Sequence, residues 1–184
     1  MASKIKVDQI QTADGTGTIA LQNQLSGMTT ASLPALGSAQ MPTGSVLQVV
    51  HGSYSTETST TSGSTWVATG ASIAITPTSA SSKILVMFNQ YIRIYAPSAD
   101  QGAGYAIRRG TTTIWSTPQS YTTYIYMTGL EVDMRLYQSF NYLDSPNTTS
   151  ATTYSTRMIE YGNGTTYAQH SSNPTMMTLI EIAG

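Results

Sequence analysis

The stretch KILVMFNQYIRIY, from Lys83 to Tyr95, is the strongest strand signal in the chain. It is dense in β-branched and aromatic residues. Towards its end Ile92, Arg93 and Ile94 alternate, the period of two that a strand imposes. Working upstream, Ile73 and Ile75 alternate with Ser72, Ala74 and Thr76. Pro77 stops that piece, and Thr-Ser-Ala-Ser-Ser at 78–82 turns the chain. Val46 to Tyr54 is another β-rich run, and Glu57 to Ser64 reads as a Ser/Thr loop. Downstream, Gly104 to Arg109 and Thr111 to Trp115 read as a hairpin around Arg109-Gly110. Met134 to Leu143 and Thr153 to Tyr161 are further strands. Asn163-Gly164 is the strongest short hairpin signal and is expected to join Thr153–Tyr161 to Thr165–Ala168. Met176 to Ile182 is the last strand. No helical stripe of ten or more residues interrupts this series. An all-β fold follows, an antiparallel β-sandwich or jelly roll over 45–184. The turns do not fix which strands pair.

Charge is scarce: Lys+Arg 8 and Asp+Glu 9 give a net charge of -1, and charged residues make up 9% of the chain. A usual soluble domain carries about 25%. Copies of such a chain repel one another only weakly. Its polar surface is therefore mostly hydroxyl and amide, or much of it is buried between subunits, or both. Near-neutral charge without a basic cluster argues against a phosphate-backbone binder, so no nucleic-acid partner is expected. There is no cysteine, so stability rests on packing or assembly. No secretory h-region follows Met1, and no run reaches the length of a membrane span, so membrane insertion is not expected.

Residues 1–44 differ from the rest and contain no aromatic residue. Ile5 and Val7 form one same-face pair, and Ile19 and Leu21 form a second. Ile10 lies between them, out of strict alternation. Ala-Asp-Gly-Thr-Gly at 13–17 is turn material. Alone, this segment cannot bury enough surface to fold. It is either a disordered leader or a segment ordered against a partner or sister chains. The recurring apolar residues favour the second reading and mark Ile5, Val7, Ile10, Ile19 and Leu21 as attachment residues.

Few residues suggest chemistry. His51 and His170, the only histidines, have no His or Cys partner at ligand spacing; the nearest acids are Glu57 and Glu160. Glu131 and Asp133 would share a strand face, but a solvated loop just before a strand, or an ion-pair partner for Arg135, accounts for them better than a catalytic carboxylate pair. No nucleophile elbow or phosphate loop occurs. No catalytic residue, metal or cofactor is expected, and the chain is read as not an enzyme. Tyrosine is the unusual component, with Tyr 12 against Phe 2 and Trp 2. Tyr121, Tyr124 and Tyr126 crowd into YTTYIY. Tyrosine either stands in for Phe at strand edges and in a half-polar inter-subunit core, or forms a recognition surface for a host glycan or protein. The segment 120–128 is the best place for the latter.

The opening MASKIKVDQIQTADGTGTIALQN resembles the N-terminal segment of tailed-bacteriophage tail-fibre and related virion proteins. TGSVLQVVHGSYSTETSTTSGSTWVATG is similar to the first strands of their β-sandwich. ITPTSASSKILVMFNQ, SPNTTSATTYSTRMIEY and TMMTLIEIAG extend the similarity over most of the chain, except about 95–133. The resemblance implies a non-enzymatic virion structural protein, commonly trimeric. Residues 1–44 would attach it to other virion proteins, and 45–184 would form the oligomeric, outward-facing domain. It fits a tail fibre, and equally a head fibre or a capsid decoration protein bound to the major capsid protein. Assembly would take place in the host cytoplasm. The unmatched 95–133 is where a recognition site of its own is expected.

Overall fold

The computed structural model describes residues 37, 40–97, 100–118 and 122–184. Residues 37–184 form one compact unit. The attachment residues Ile5, Val7, Ile10, Ile19 and Leu21 lie outside the described residues, as does Tyr121.

Eleven strands make up the described part: β1 Val46–Tyr54, β2 Thr58–Thr60, β3 Val67–Ile75, β4 Lys83–Ala96, β5 Gln101–Arg109, β6 Thr112–Ser116, β7 Thr123–Ile125, β8 Val132–Asp144, β9 Thr152–Gly162, β10 Thr165–Ala168 and β11 Thr175–Ile182. They form two antiparallel sheets. The first runs β1-β11-β4-β10-β2, with β8 on the other edge of β4; the second runs β3-β9-β5-β6, with β7 also on β5. This is the expected sandwich.

The opening stretch is β4, the spine of the first sheet. One edge pairs with β8 along its length, from Ile84↔Asp144 to Ala96↔Val132. The other edge takes β11 along Lys83–Asn89 and β10 along Ile92–Tyr95. Ile84, Val86, Phe88, Ile92 and Ile94 alternate into the core. They meet Tyr105 and Ile107 of β5, Tyr154 and Met158 of β9, and Met177 and Leu179 of β11. Burying each such side chain contributes about 1.5–3 kcal/mol. Phe140 of β8 lies 4.9 Å from the Tyr105 ring and 5.5 Å from Trp115, bridging the sheets.

Two expectations need correction. Asn163-Gly164 does not close a hairpin. β9 pairs with β3 and β5 in the second sheet, whereas β10 pairs with β4 and β2 in the first. Both edges of β9 are already occupied, so the turn carries the chain across the sandwich. Its glycine serves close approach: a Cβ on Gly164 would overlap the Tyr95 carbonyl oxygen. Likewise, 57–64 is not wholly a loop. Thr58–Thr60 adds to β10, because that short strand leaves a free ladder there.

A clamp ties the sheets at one end. Asp144, the last residue of β8, accepts from Arg109 Nη1 at 2.9 Å and from the Tyr154 hydroxyl at 2.7 Å. Arg109 ends β5 and Tyr154 sits in β9, both in the second sheet. The core also holds polar groups. The Thr156 hydroxyl donates to Gln90 Oε1 at 2.7 Å, and the Thr69 and Thr156 hydroxyls are 2.6 Å apart.

Candidate functional site

The outward face of the first sheet can be read row by row from the strand register. Val49, Ile180, Leu85 and Leu143 lie side by side across β1, β11, β4 and β8. The next row is His51, Thr178, Met87 and Asn141, and the next is Ser53, Met176, Asn89 and Ser139. Tyr91 and Tyr137 follow, with ring centroids 5.0 Å apart at 63°, an edge-on pair. Across these four rows no carboxylate, lysine or arginine projects outward. Val49 is 57% exposed and Leu143 48%. A hollow of about 240 Å³ lies among Met87, Asn89, Ser139, Asn141, Met176 and Thr178. This area is apolar and amide-lined, and it is covered by nothing among the described residues.

Beyond Tyr91 the face becomes charged. Asp133 is gripped by two guanidinium groups: Arg93 donates at 2.8 and 2.9 Å, and Arg135 at 3.1 and 2.8 Å. The hydrogen bonds from Arg93, then those from Arg135, hold the Asp133 carboxyl well below the usual carboxylate range. The Arg93 guanidinium also stacks 4.6 Å over Tyr95 and 5.2 Å over Tyr167. The Asp133 carboxylate is committed to two neighbours in the same face. Asp133 is thus an ion-pair partner of Arg135, as the sequence suggested, with Arg93 as a second partner that spacing could not reveal.

The tyrosines of 120–128 are treated unequally. Tyr124 lies in β7, which pairs with β5 at Gln101–Ala103. Its hydroxyl donates to Asp100 at 2.7 Å, and its ring packs 5.8 Å from Tyr161. Tyr126 follows the strand and is 76% exposed, beside the exposed Met127 and Leu130. The structure therefore presents Tyr126 outward and ties Tyr124 into the sheet.

The histidines serve local contacts. His170 Nδ1 is 2.8 Å from Glu57, which also accepts from the Ser171 backbone N–H at 2.8 Å. His51 Nδ1 is 3.0 Å from the Thr178 hydroxyl. No group of three or more His, Cys, Asp or Glu converges among the described residues. Two buried carboxylates were not singled out from the sequence. Glu181 accepts from Gln48 Nε2 at 2.5 Å and from the Thr78 N–H and hydroxyl at 2.7 and 2.8 Å, anchoring the 76–82 turn. Glu160 accepts from the Gly164 N–H at 3.3 Å, and burial raises its pKa. The neutral outer face was missed as well, although it left a signal. Ile84 to Phe88 is apolar at every position, the pattern of a strand covered on both faces.

No family model matches the chain, and no curated protein matches it. Among solved structures it is similar to the D431N mutant VP2 protein of infectious bursal disease virus in derived T=1 particles. Identity there is 14%, the TM-score is 0.37, and the alignment covers 82% of this chain and 41% of that one. The structure of the infectious bursal disease virus Gx strain aligns with 11% identity and a TM-score of 0.37, over 83% of this chain and 42% of that one. The chain thus spans about two fifths of the length of these structures.

Proposed function

We propose that this chain is a non-enzymatic structural protein of a bacteriophage virion, a tail fibre. Residues 1–44 attach it to other virion proteins, and 45–184 forms a homotrimeric domain that contacts the host surface. The observation that carries this reading is the order and spacing of the phrases that resemble tail-fibre proteins. The fold lends support. The matched phrases supply β1, β11, nearly all of β9 and more than half of β3 and β4, whereas the unmatched 95–133 supplies β5, β6 and β7. That segment also carries the exposed Tyr126, a large amphipathic ring suited to a glycan or protein surface. A charge-poor sandwich with an uncovered neutral face suits a protein that works in an assembly. A head fibre or capsid decoration protein is the second reading, favoured by the same matched phrases.

The deciding experiment compares incorporation of the full chain and of residues 44–184 into particles, with immunogold labelling of the product. Label at the tail from the full chain alone, together with weaker host adsorption of a Tyr126→Ala particle, is the expected result. Label over the capsid favours the second reading. Equal incorporation of both chains removes the attachment role of 1–44.

A further inference from the structure

We infer that the neutral outer face of the first sheet, the four rows from Val49–Leu143 to Tyr91–Tyr137, is the surface by which copies of this chain bind one another. The inference rests on the reading of the chain as an assembly protein and identifies the contact within it.

Three observations converge. First, β4 is apolar on both sides from Ile84 to Phe88. Ile84, Val86 and Phe88 face the core, yet Leu85 and Met87 face outward. A strand written this way is covered twice, and one protomer covers it once. Second, the face carries no charge that would select a foreign partner or repel an identical one. The Arg93–Asp133–Arg135 cluster at one end keeps a single net positive charge and Lys83 flanks the other end beside Ile182, so the contact is confined to the uncharged rows between them, where no ion is desolvated. Third, the area is sufficient. Four strands about 4.8 Å apart and three full rows about 6.7 Å apart, with half a fourth row on β4 and β8, define roughly 450 Å² of planar face. A corrugated side-chain surface exceeds its projection, so a pair of copies clears the ~1,000 Å² expected of a biological interface.

Geometry also suggests how the contact closes. β8 pairs only with β4 among the described residues, so its second edge borders the face. Leu143 and Tyr137 project along that border. Three copies set about one axis, with each such border against the next copy's face, bring the three faces together around that axis, a closed arrangement when the rotation per copy is a third of a turn. The Met87 and Met176 side chains flank the hollow and can adapt to a side chain inserted from the next copy.

The purified full chain tests this without any particle, so its outcome is separate from that of the virion experiments. Light scattering at micromolar protomer concentration should return a multiple of 19.6 kDa, three-fold for the trimer. Met87→Glu with Leu143→Glu should return 19.6 kDa with an unchanged β circular dichroism spectrum. Thr113→Glu, on exposed β6 of the other sheet, should leave the mass unaltered. Should the double variant fail to fold, thiol labelling decides the matter, because the chain has no cysteine of its own. Ser139→Cys should react at least ten-fold more slowly than Thr113→Cys in the assembled protein. A monomeric wild-type chain, a folded double variant of unchanged mass, or equal labelling of the two thiols would overturn the assignment.

Discussion

The clamp at Asp144 makes a quantitative test of how the two sheets are held. Asp144→Ala removes the acceptor shared by Arg109 and Tyr154. Asp144 is buried and Tyr154 fully so; the Arg109 side chain is partly exposed and keeps its 3.1 Å bond to the Ser145 carbonyl. The substitution leaves a buried hydroxyl without a partner, which costs about 1–3 kcal/mol. Breaking a largely buried ion pair by removing one member costs about 3–5 kcal/mol, and partial exposure of Arg109 places its share at the lower end. The two overlap, since one carboxylate serves both, so about 3–4 kcal/mol is expected in total. Tyr154→Phe alone should cost about 1.5–3 kcal/mol, a hydrogen bond to a charged group. The double variant should cost clearly less than the sum, by about 1 kcal/mol or more, because the hydroxyl matters only while the carboxylate is present. Urea unfolding at fixed protomer concentration measures all three, with the slope held as the check that only stability changed. A loss below about 1 kcal/mol for Asp144→Ala, or strict additivity with Tyr154→Phe, would refute the clamp.

Two further outcomes follow from the interior. Burial raises the Glu160 pKa above its ordinary value of 4.5, so the folded state holds its proton to higher pH than the unfolded state. That contribution favours folding below pH 4.5 and is lost as pH rises towards the folded pKa. Glu160→Gln should therefore gain stability relative to wild type as pH rises from 4 to 7, as read by parallel urea titrations; a flat difference would contradict this. Gly164→Ala should cost about 3 kcal/mol or more, because its methyl would meet the Tyr95 backbone oxygen rather than a movable side chain; a thermal melt within 2 °C of wild type would show that the chain crossing tolerates a side chain.

Much of this protein could be read directly from its residues. The alternation at Ile92–Ile94, the stop at Pro77 and the Gly110 turn located strand ends within a residue or two, whereas β3 begins at Val67, before the alternating Ser72–Thr76, and β5 begins at Gln101, before Gly104. These signals are local: a strand's side chains alternate because its backbone is pleated, whatever lies beside it. The scarcity of charge and the tyrosine excess were equally plain, and they pointed to assembly and contact rather than catalysis. Partner choice was not legible, because pairing joins residues far apart in the chain, such as Ile84 with Asp144, and no local rule scores one edge against another. For that reason Asn163-Gly164, with the composition of a hairpin, became a crossing between sheets once β3 and β5 had filled both edges of β9. The same long-range geometry separated Tyr124, tied to Asp100, from the exposed Tyr126 two residues on. It gathered Arg109, Asp144 and Tyr154 from three strands, and it lined up Val49, Ile180, Leu85 and Leu143 as one apolar row. Sequence determined which residues are strand and which are apolar; only the folded sheet order decided which apolar residues are left facing outward.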